Sequence, residues 1–230
     1  MKDYIKTGLV LMIYMVIAGF LVAFVYNAVT PAINNAEFNA KLKAIKTVLT
    51  DANTQKLLVE KIPQNEEELN KFIWQKNSDL LYKDEKSNKI YSPAFKFISG
   101  NKEIYVLTIS GVGFGGDVTS VVSFVKENGK TSLNKIEVIN YSQETPGLGA
   151  NIAEDSVKER FYSIPYSGLK SGLKVDKDSG VKINANEKEK FSAQGIVITS
   201  DIMTGATITP RGVVSSINAA VKYLTEKGVM

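Results

Sequence analysis

The stretch Val118-Thr-Ser-Val-Val-Ser-Phe-Val125 is followed by Glu127-Asn-Gly-Lys130 and then by the largely apolar run Ile136–Tyr141. Runs of β-branched and aromatic residues on both sides of an Asn-Gly pair predict an antiparallel hairpin. Tyr105–Ile109 predicts another strand upstream, and Glu154–Tyr162 predicts a helix downstream. Hairpin strands with a few appended helices indicate an α+β fold, with a mainly antiparallel sheet and flanking helices.

The C-terminal part of the chain predicts one strong helix. Apolar residues recur there at helical spacing, at Val213, Val214, Ile217, Ala220, Val221 and Leu224. Thr209-Pro210 is typical of an N-cap followed by the first helical residue, and Gly228 is a plausible end. The short apolar run Gly195–Thr199 predicts a strand that leads towards this helix.

Asp201-Ile-Met-Thr-Gly-Ala-Thr207 lies between that strand and the helix. Gly205 permits a positive φ, and the small Ala206 leaves room beside the Thr207 hydroxyl. An anionic group on Thr207 would be stabilised by the positive end of the helix dipole. Arg211, one of only two arginines, is a candidate contact for such an anion. The alternative reading is an ordinary strand, glycine turn and capped helix.

The chain has two glycine-rich segments, one between two predicted strands and one after the last strand of the predicted hairpin. Gly111-Val-Gly-Phe-Gly-Gly116 lacks the strand-to-helix context of a dinucleotide fingerprint, but its glycines allow a backbone to approach a planar ligand closely. In Glu144-Thr-Pro-Gly-Leu-Gly149, Pro146 fixes one φ angle and the two glycines permit positive φ. Such a loop directs backbone N–H groups at a ring edge or an anion. The alternative for both segments is an ordinary turn.

The N-terminal run Gly8–Asn27 contains no charged residue. At 1.5 Å per residue a helix of this length spans the roughly 30 Å hydrocarbon core of a bilayer. A cleaved signal peptide is the alternative, but its apolar region is shorter, and Pro31 lies where cleavage would occur. Lys2 and Lys6 precede the run and the next lysine is Lys41, which favours an N-terminus inside the cell.

Composition excludes several classes of chemistry. The chain has no cysteine and no histidine, which removes thiolate and imidazole metal sites, cysteine-bound iron–sulfur clusters and histidine bases. Oxidoreductase chemistry would therefore need an organic cofactor. The net charge is +4, spread mostly over lysines without an aromatic-interleaved basic patch. We therefore expect no nucleic-acid partner, no bound metal and no catalytic side chain.

Taken together, Gly-x-Gly-Phe-Gly-Gly, Glu-Thr-Pro-Gly-Leu-Gly and Asp-x-x-Thr-Gly-Ala-Thr resemble the FMN-binding domain shared by the RnfG subunit of the Rnf complex and its relative, the NqrC subunit of the Nqr complex. The similarity covers the N-terminal anchor and the region from about Gly111 to Val221. The Thr-Ile-Thr-Pro-Arg-Gly-Val-Val continuation is closer to the Rnf type. Many relatives have Ser at the position of Thr204, and some have a His near the Glu-Thr-Pro loop that this chain lacks.

The resemblance implies that FMN is attached covalently, through a phosphoester, to Thr207. The cofactor contacts that it implies lie in the three motifs. They are Asp201, Thr204, Gly205, Ala206 and Arg211 near the acceptor; Glu144, Thr145, Gly147, Leu148 and Gly149 in the second loop; and Gly113, Phe114 and Gly115 in the first.

The resemblance also implies an electron-relay subunit of a membrane complex that passes electrons between ferredoxin and NAD and moves Na⁺ or H⁺. Its partners would be other Rnf subunits, including a second flavin-bearing membrane subunit, a flavin transferase during maturation, and the lipid bilayer. It would be a single-pass protein of the cell membrane, with its FMN domain on the outer face. The alternatives are the NqrC subunit of the sodium-translocating NADH:quinone reductase and a membrane-anchored binding module without redox function.

Three regions are expected on this basis. Residues 1–30 would form the transmembrane anchor, and residues 31–100 a juxtamembrane helical segment and the start of the globular domain. Residues 101–230 would form the FMN-binding domain with its C-terminal helix. The polar stretch Asp176–Lys190 is expected to be a surface hairpin or loop.

A short helix is expected in the second of these regions. Asn65 and Glu68 have the spacing of a helix cap, and the larger apolar residues that follow are Leu69, Phe72, Ile73 and Trp74. The helix is therefore expected to carry all four of these side chains.

Overall fold

The structure, a computed structural model, describes residues 2–180 and 187–230. The chain divides into two compact units, Met1–Ala40 and Lys41–Met230. Helix α1 (Lys2–Val48), which contains Pro31, makes up the described part of the first unit and supplies the first residues of the second. An apolar stretch within α1 has a mean hydropathy of 2.7 and no buried part, so α1 has the length and composition of a membrane span.

The second unit begins with the end of α1, where Leu42, Ile45 and Val48 are buried. The next helix, α2 (Glu66–Asn70), is capped by the Asn65 side chain, which accepts a hydrogen bond from the Glu68 N–H. The expected extension of this helix through Trp74 is wrong, because strand β1 (Ile73–Gln75) starts there and pairs with the sheet.

A six-stranded antiparallel sheet forms the centre of the unit. After β1, its strands are β2 (Leu80–Lys83), β3 (Lys89–Ser99), β4 (Lys102–Val112), β5 (Asp117–Glu127) and β6 (Lys130–Asn140). They pair in the order β1-β3-β4-β5-β6, with β2 also paired to β3. The mainly antiparallel α+β fold is therefore confirmed. The hairpin prediction is also confirmed: Asn128 and Gly129 join β5 to β6 with φ angles of 52° and 74°, the double positive φ that an Asn-Gly turn adopts.

Short helices follow the sheet. The expected helix over Glu154–Tyr162 is interrupted: α3 (Asp155–Lys158) passes into a 3₁₀ turn at Glu159–Phe161, and Tyr162 is extended. After these come α4 (Tyr166–Ser171) and strand β7 (Lys174–Val175). The segment is tied back to the sheet because Ile164 and Leu133 exchange backbone hydrogen bonds.

The expected loop over Asp176–Lys190 is only partly a loop. Asp176–Asp178 forms one turn of 3₁₀ helix, and α5 (Lys188–Ala193) begins before the stretch ends. Residues 181–186, on which the rest of this expectation falls, lie outside the described residues. Strand β8 (Ile196–Val197), within the predicted strand Gly195–Thr199, pairs in parallel with β7.

Helix α6 (Ile208–Glu226) packs across the sheet and begins directly after the Asp201–Thr207 stretch, called the acceptor motif below after the role that the resemblance implies. Its apolar side chains Val213, Ile217 and Leu224 are almost completely buried and join the core with strands β4, β5 and β6. Gly228 follows the helix with a φ of 72°, as predicted for its end. The core therefore fixes the direction of α6, and with it the position of Thr207 at the start of the helix.

The helix approaches β4 so closely that backbone meets backbone. A Cβ atom on Gly212 would lie 2.3 Å from the Val112 carbonyl oxygen, and one on Gly111 would lie 2.0 Å from the Gly212 carbonyl oxygen. Both distances are below any normal carbon–oxygen contact, so the crossing needs glycine on each side. This crossing brings residues 113–116, which join β4 to β5, next to the first turn of α6.

Candidate functional site

The three sequence motifs meet around one cavity of about 270 Å³. The acceptor motif and the start of α6 form one wall, and the Glu144–Gly149 loop and the β4–β5 loop form the others. The lining residues are Phe114, Glu144, Thr145, Leu148, Gly149, Gly205, Ala206, Thr207, Ile208 and Thr209. Segments far apart in the sequence therefore contribute to a single site.

Glu144 holds the three motifs together. Its side chain is buried, with 5% of the residue exposed. One carboxylate oxygen, Oε1, accepts a hydrogen bond from the Gly115 N–H at 3.1 Å, and Oε2 accepts one from the Thr209 hydroxyl at 2.5 Å. A buried carboxylate needs such donors because it has lost its hydration. Glu144 thus links its own loop to the β4–β5 loop and to the first turn of α6.

Glycines make room for this carboxylate. A Cβ atom on Gly113 would lie 2.2 Å from Glu144 Oε1, and one on Gly149 would lie 2.1 Å from Oε2. Gly147, by contrast, has open space around it and adopts a φ of 73°, which favours glycine for conformational reasons. The glycines of this loop therefore serve two purposes, close approach to Glu144 and a left-handed turn.

The mouth of the cavity is apolar. Phe114 is 68% exposed, Leu148 44% and Ile208 46%, and these side chains come from three different segments. An aromatic and two aliphatic side chains around a pocket are suited to a flat, largely apolar ring system. Leu148 also lies against the acceptor turn, because its Cδ2 is 3.6 Å from the position of a Cβ on Gly205.

The acceptor turn presents Thr207 at the edge of this cavity. Gly205 has a φ of 83°, as the sequence predicts, and Ala206 is buried beneath the turn. Thr207 is half-buried and occupies the N-cap position of α6, but its side chain makes no capping hydrogen bond. Its hydroxyl oxygen accepts a hydrogen bond from the Lys177 ammonium group at 3.0 Å. The hydroxyl is therefore not committed to the helix backbone.

The prediction that Thr209 and Pro210 begin the helix is wrong by two residues. Helix α6 begins at Ile208, and Thr209 is completely buried in its first turn. The reason is the Glu144 carboxylate, which takes the Thr209 hydroxyl as a partner and holds it inside the protein. A short-range N-cap pattern does not reveal a competing acceptor that lies many residues away.

Asp201 and Arg211 do not line the cavity. Asp201 pairs with Arg160 at 2.7 Å between the carboxylate and a guanidinium nitrogen. Arg211, which the sequence suggested as an anion contact, has its Nε 2.8 Å from Asp178 Oδ2. The Arg211 guanidinium lowers the pKa of the Asp178 carboxyl from its usual value. Thr204, Gly113, Gly115 and Gly147 lie in the surrounding turns rather than on the cavity wall.

Two contacts of the site were missed by the sequence analysis, those of Lys177 and Thr209. Lys177 belongs to the polar stretch expected to be a surface loop, and it reaches Thr207 across thirty residues of sequence. Thr209 was interpreted only as a helix cap. Neither contact has a local sequence signal, because each depends on a partner brought close by the fold.

We expect Glu144→Leu to destabilise the protein by about 1–3 kcal/mol, because the completely buried Thr209 hydroxyl would lose its acceptor. The isosteric change Thr209→Val should be destabilising too, since it leaves Glu144 without that donor. The double variant Glu144→Leu/Thr209→Val should lose less than the sum of the two, because neither unpaired group then remains. Thermal unfolding of the four proteins measures this coupling. Strictly additive losses would contradict the linking role of Glu144.

The chain matches the model of the FMN-binding domain family over residues 113–222, which contain all three motifs from Gly113 onward. It is 32% identical over 127 residues to the G subunit of the proton-translocating ferredoxin:NAD⁺ oxidoreductase complex of Clostridium ljungdahlii, covering 55% of this chain and 56% of that protein. It is 29% identical over 152 residues to the G subunit of the ion-translocating oxidoreductase complex of Buchnera aphidicola, covering 66% and 57%.

The chain thus spans a little over half the length of these curated relatives. A solved structure is similar to this chain over a larger share of both proteins. It is a protein of Thermotoga maritima described as a candidate RnfG subunit of an electron transport complex, and it aligns with 34% identity and a TM-score of 0.63 over 83% of this chain and 98% of that one. The chain belongs to the FMN-binding domain family that includes the RnfG subunit of the Rnf complex.

Proposed function

We propose that this chain is the electron-relay subunit of an Rnf-type ion-translocating oxidoreductase and carries FMN attached through a phosphoester to Thr207. The observation that carries the proposal is the position of the Thr207 hydroxyl. It lies at the edge of an apolar-rimmed cavity, beside the Lys177 ammonium and at the N-terminus of a long helix. The names of the relatives, which are G subunits of ion-translocating complexes, support the Rnf type over the quinone-reducing type.

The residues present fit the chemistry of FMN. Phe114, Leu148 and Ile208 offer apolar surface for the flavin ring. The cavity of about 270 Å³ is just below the usual size of a ligand pocket and is suited to part of the cofactor. For the phosphate there are the Lys177 ammonium and the N-terminus of α6, both of which favour an anion. When bound, FMN would supply electron transfer in steps of one or two electrons.

The chain's own residues would orient and retain the cofactor. A phosphoester at Thr207 keeps the cofactor on the protein without using the ring for attachment. The Glu144 hydrogen bonds hold the β4–β5 loop and the first turn of α6 in place at the cavity. The exposure of Phe114 and Leu148 leaves the mouth of the cavity open to a second redox partner at short range. We take that partner to be another, flavin-bearing membrane subunit of the complex.

The direct test is to look for covalently bound flavin on the protein after it has been produced in cells that also make a flavin transferase. Under ultraviolet light the denatured protein should fluoresce in a gel. Trypsin should release the peptide Phe191–Arg211 with the mass of FMN minus water added, and fragmentation should place that mass on Thr207. An unmodified peptide from such cells would refute the proposal. The same protein from cells without the transferase is the matched control.

We also propose that α1 crosses the cell membrane with its N-terminus inside and the cavity-bearing unit outside. The apolar stretch of α1 and the early lysines Lys2 and Lys6 support this orientation. Protease added to intact spheroplasts should therefore digest the residues after the span. Lysed spheroplasts and a cytoplasmic marker protein provide the controls. Protection until lysis would reverse the assignment.

A further inference from the structure

The 3₁₀ turn Asp176–Asp178 contacts the acceptor region with each of its three side chains. We call these three residues the acceptor clamp. Asp176 binds the chain before the acceptor motif, Lys177 binds the acceptor hydroxyl, and Asp178 binds the helix after it. The sequence analysis assigned no role to this polar stretch.

Asp176 anchors the clamp to the chain that leads into the motif. It is buried, with 6% of the residue exposed. Its Oδ1 accepts hydrogen bonds from the N–H and hydroxyl of Thr199, at 3.3 and 3.4 Å. Its Oδ2 accepts bonds from the N–H of Ser200, at 3.2 Å, and from the Ser200 hydroxyl. Four hydrogen-bond donors on one buried carboxylate hold the clamp against the residues that follow β8.

Asp178 anchors the other end of the clamp to α6. Its two carboxylate oxygens take the Nε and one terminal nitrogen of Arg211, which is the two-point geometry of an arginine–carboxylate pair. Because Arg211 lies one turn beyond Thr207, the clamp is held on both sides of the acceptor. Lys177, between the two anchors, is thereby directed at the Thr207 oxygen although it lies on the protein surface.

We propose that the acceptor clamp positions Thr207 for flavin attachment and that the Lys177 ammonium contacts the phosphate in the attached product. This inference rests on the proposed function. In the transfer the Thr207 oxygen forms a bond to the phosphorus on the FMN side of FAD. The bond from that phosphorus to the AMP oxygen breaks, AMP leaves, and the hydroxyl proton passes to solvent. No electrons are exchanged.

The contribution of Lys177 follows from its hydrogen bond. As the donor, its ammonium uses a lone pair of the Thr207 oxygen and leaves the hydroxyl hydrogen free to depart. Negative charge that grows on the phosphate oxygens during transfer then develops beside a fixed cation, which stabilises the transition state. Asp176 and Asp178 act through Lys177, so they are positioning residues.

The test follows attachment to the full-length protein, purified without flavin in detergent and mixed with flavin transferase and FAD. Initial rates come from gel fluorescence. We expect Lys177→Met to slow attachment about tenfold, the size of a lost hydrogen bond to a charged group at a partly exposed site. Lys177→Arg should restore most of the rate, because it restores the cation. Lys170→Met, which removes an exposed lysine in α4, is the matched control and should react like the unmodified sequence.

The outcomes separate the two proposals. If the unmodified sequence is labelled on Thr207 and Lys177→Met is labelled equally fast, the clamp inference is wrong and the proposed function stands. If Lys177→Arg is as slow as Lys177→Met, a cation at this position is not what matters, and the inference is wrong as well. If the unmodified sequence takes up no flavin, both proposals fail. Melting temperatures of all four proteins verify that a slow variant is folded.

Discussion

Replacement of Thr207 by alanine is expected to abolish covalent flavin and to leave the protein folded. The Thr207 side chain makes no capping hydrogen bond to α6, so its loss removes no helix contact of that kind. The same change removes the only atom to which the phosphoester is proposed to attach. Gel fluorescence should fall to background, and the peptide Phe191–Arg211 should have its unmodified mass.

The matched control is Thr204→Ser, which alters another threonine of the same turn and keeps its hydroxyl. Thr204 is exposed, and its hydroxyl donates only a long hydrogen bond, 3.4 Å, to the Ser200 carbonyl oxygen. Flavin attachment to this variant should equal that of the unmodified sequence. Covalent flavin on Thr207→Ala would show that another hydroxyl of the peptide is the acceptor, and the assignment of Thr207 would then be wrong.

The sheet could be predicted from sequence because its signals are local. Runs rich in β-branched and apolar residues mark β4 and β5, and an Asn-Gly pair fixes the turn between β5 and β6. The cavity could be outlined for a similar reason. Its three walls are continuous motifs whose glycines and proline constrain the chain over a few residues. The meeting of the three motifs was expected only from the family resemblance, because no local signal brings separate motifs to one cavity.

The contacts that the sequence analysis missed are long-range and polar. Thr209 donates to Glu144 across 65 residues of sequence, and Lys177 donates to Thr207 across 30. Each side chain alone resembles an ordinary cap or surface charge, and only the fold selects its partner. Strand β1 was expected to be part of a helix, and this error also comes from a long-range contact. The pairing of Ile73 with Phe95 overrides the helical spacing of the residues before it.

The packing of α6 links the position of Thr207 to the core. Thr207 lies at the start of α6, and α6 is held by the sheet rather than by its own cap. The orientation of the acceptor relative to the cavity therefore depends on how closely α6 approaches β4. The glycine crossing of Gly111 and Gly212 determines that approach. A change at the crossing should consequently affect stability and flavin attachment together.

Gly212→Ala is accordingly expected to be among the most destabilising single substitutions in the chain. The added Cβ would lie 2.3 Å from the Val112 carbonyl oxygen and 2.8 Å from the Val112 carbonyl carbon, and backbone atoms cannot rotate away as a side chain does. Alanine gains roughly 1 kcal/mol of helix propensity over glycine. Overpacking typically costs about 1–3 kcal/mol, and here the cost should be at the upper end of that range or above it. It should therefore exceed the gain in helix propensity and leave a net loss of stability of about 2 kcal/mol.

Thermal unfolding of the full-length protein in detergent measures this loss, which should lower the melting temperature by roughly 4–8 °C in a domain of this size. Gly100→Ala is the matched control. Gly100 has a φ of 58° and open space around it, so its replacement should show only the strain of a left-handed alanine, about 1 kcal/mol. Because Gly212→Ala must also push the first turn of α6 away from β4, it should slow flavin attachment, whereas Gly100→Ala should not. A Gly212→Ala protein no less stable than Gly100→Ala, with normal attachment, would mean that α6 shifts freely and that the crossing does not determine the position of the acceptor.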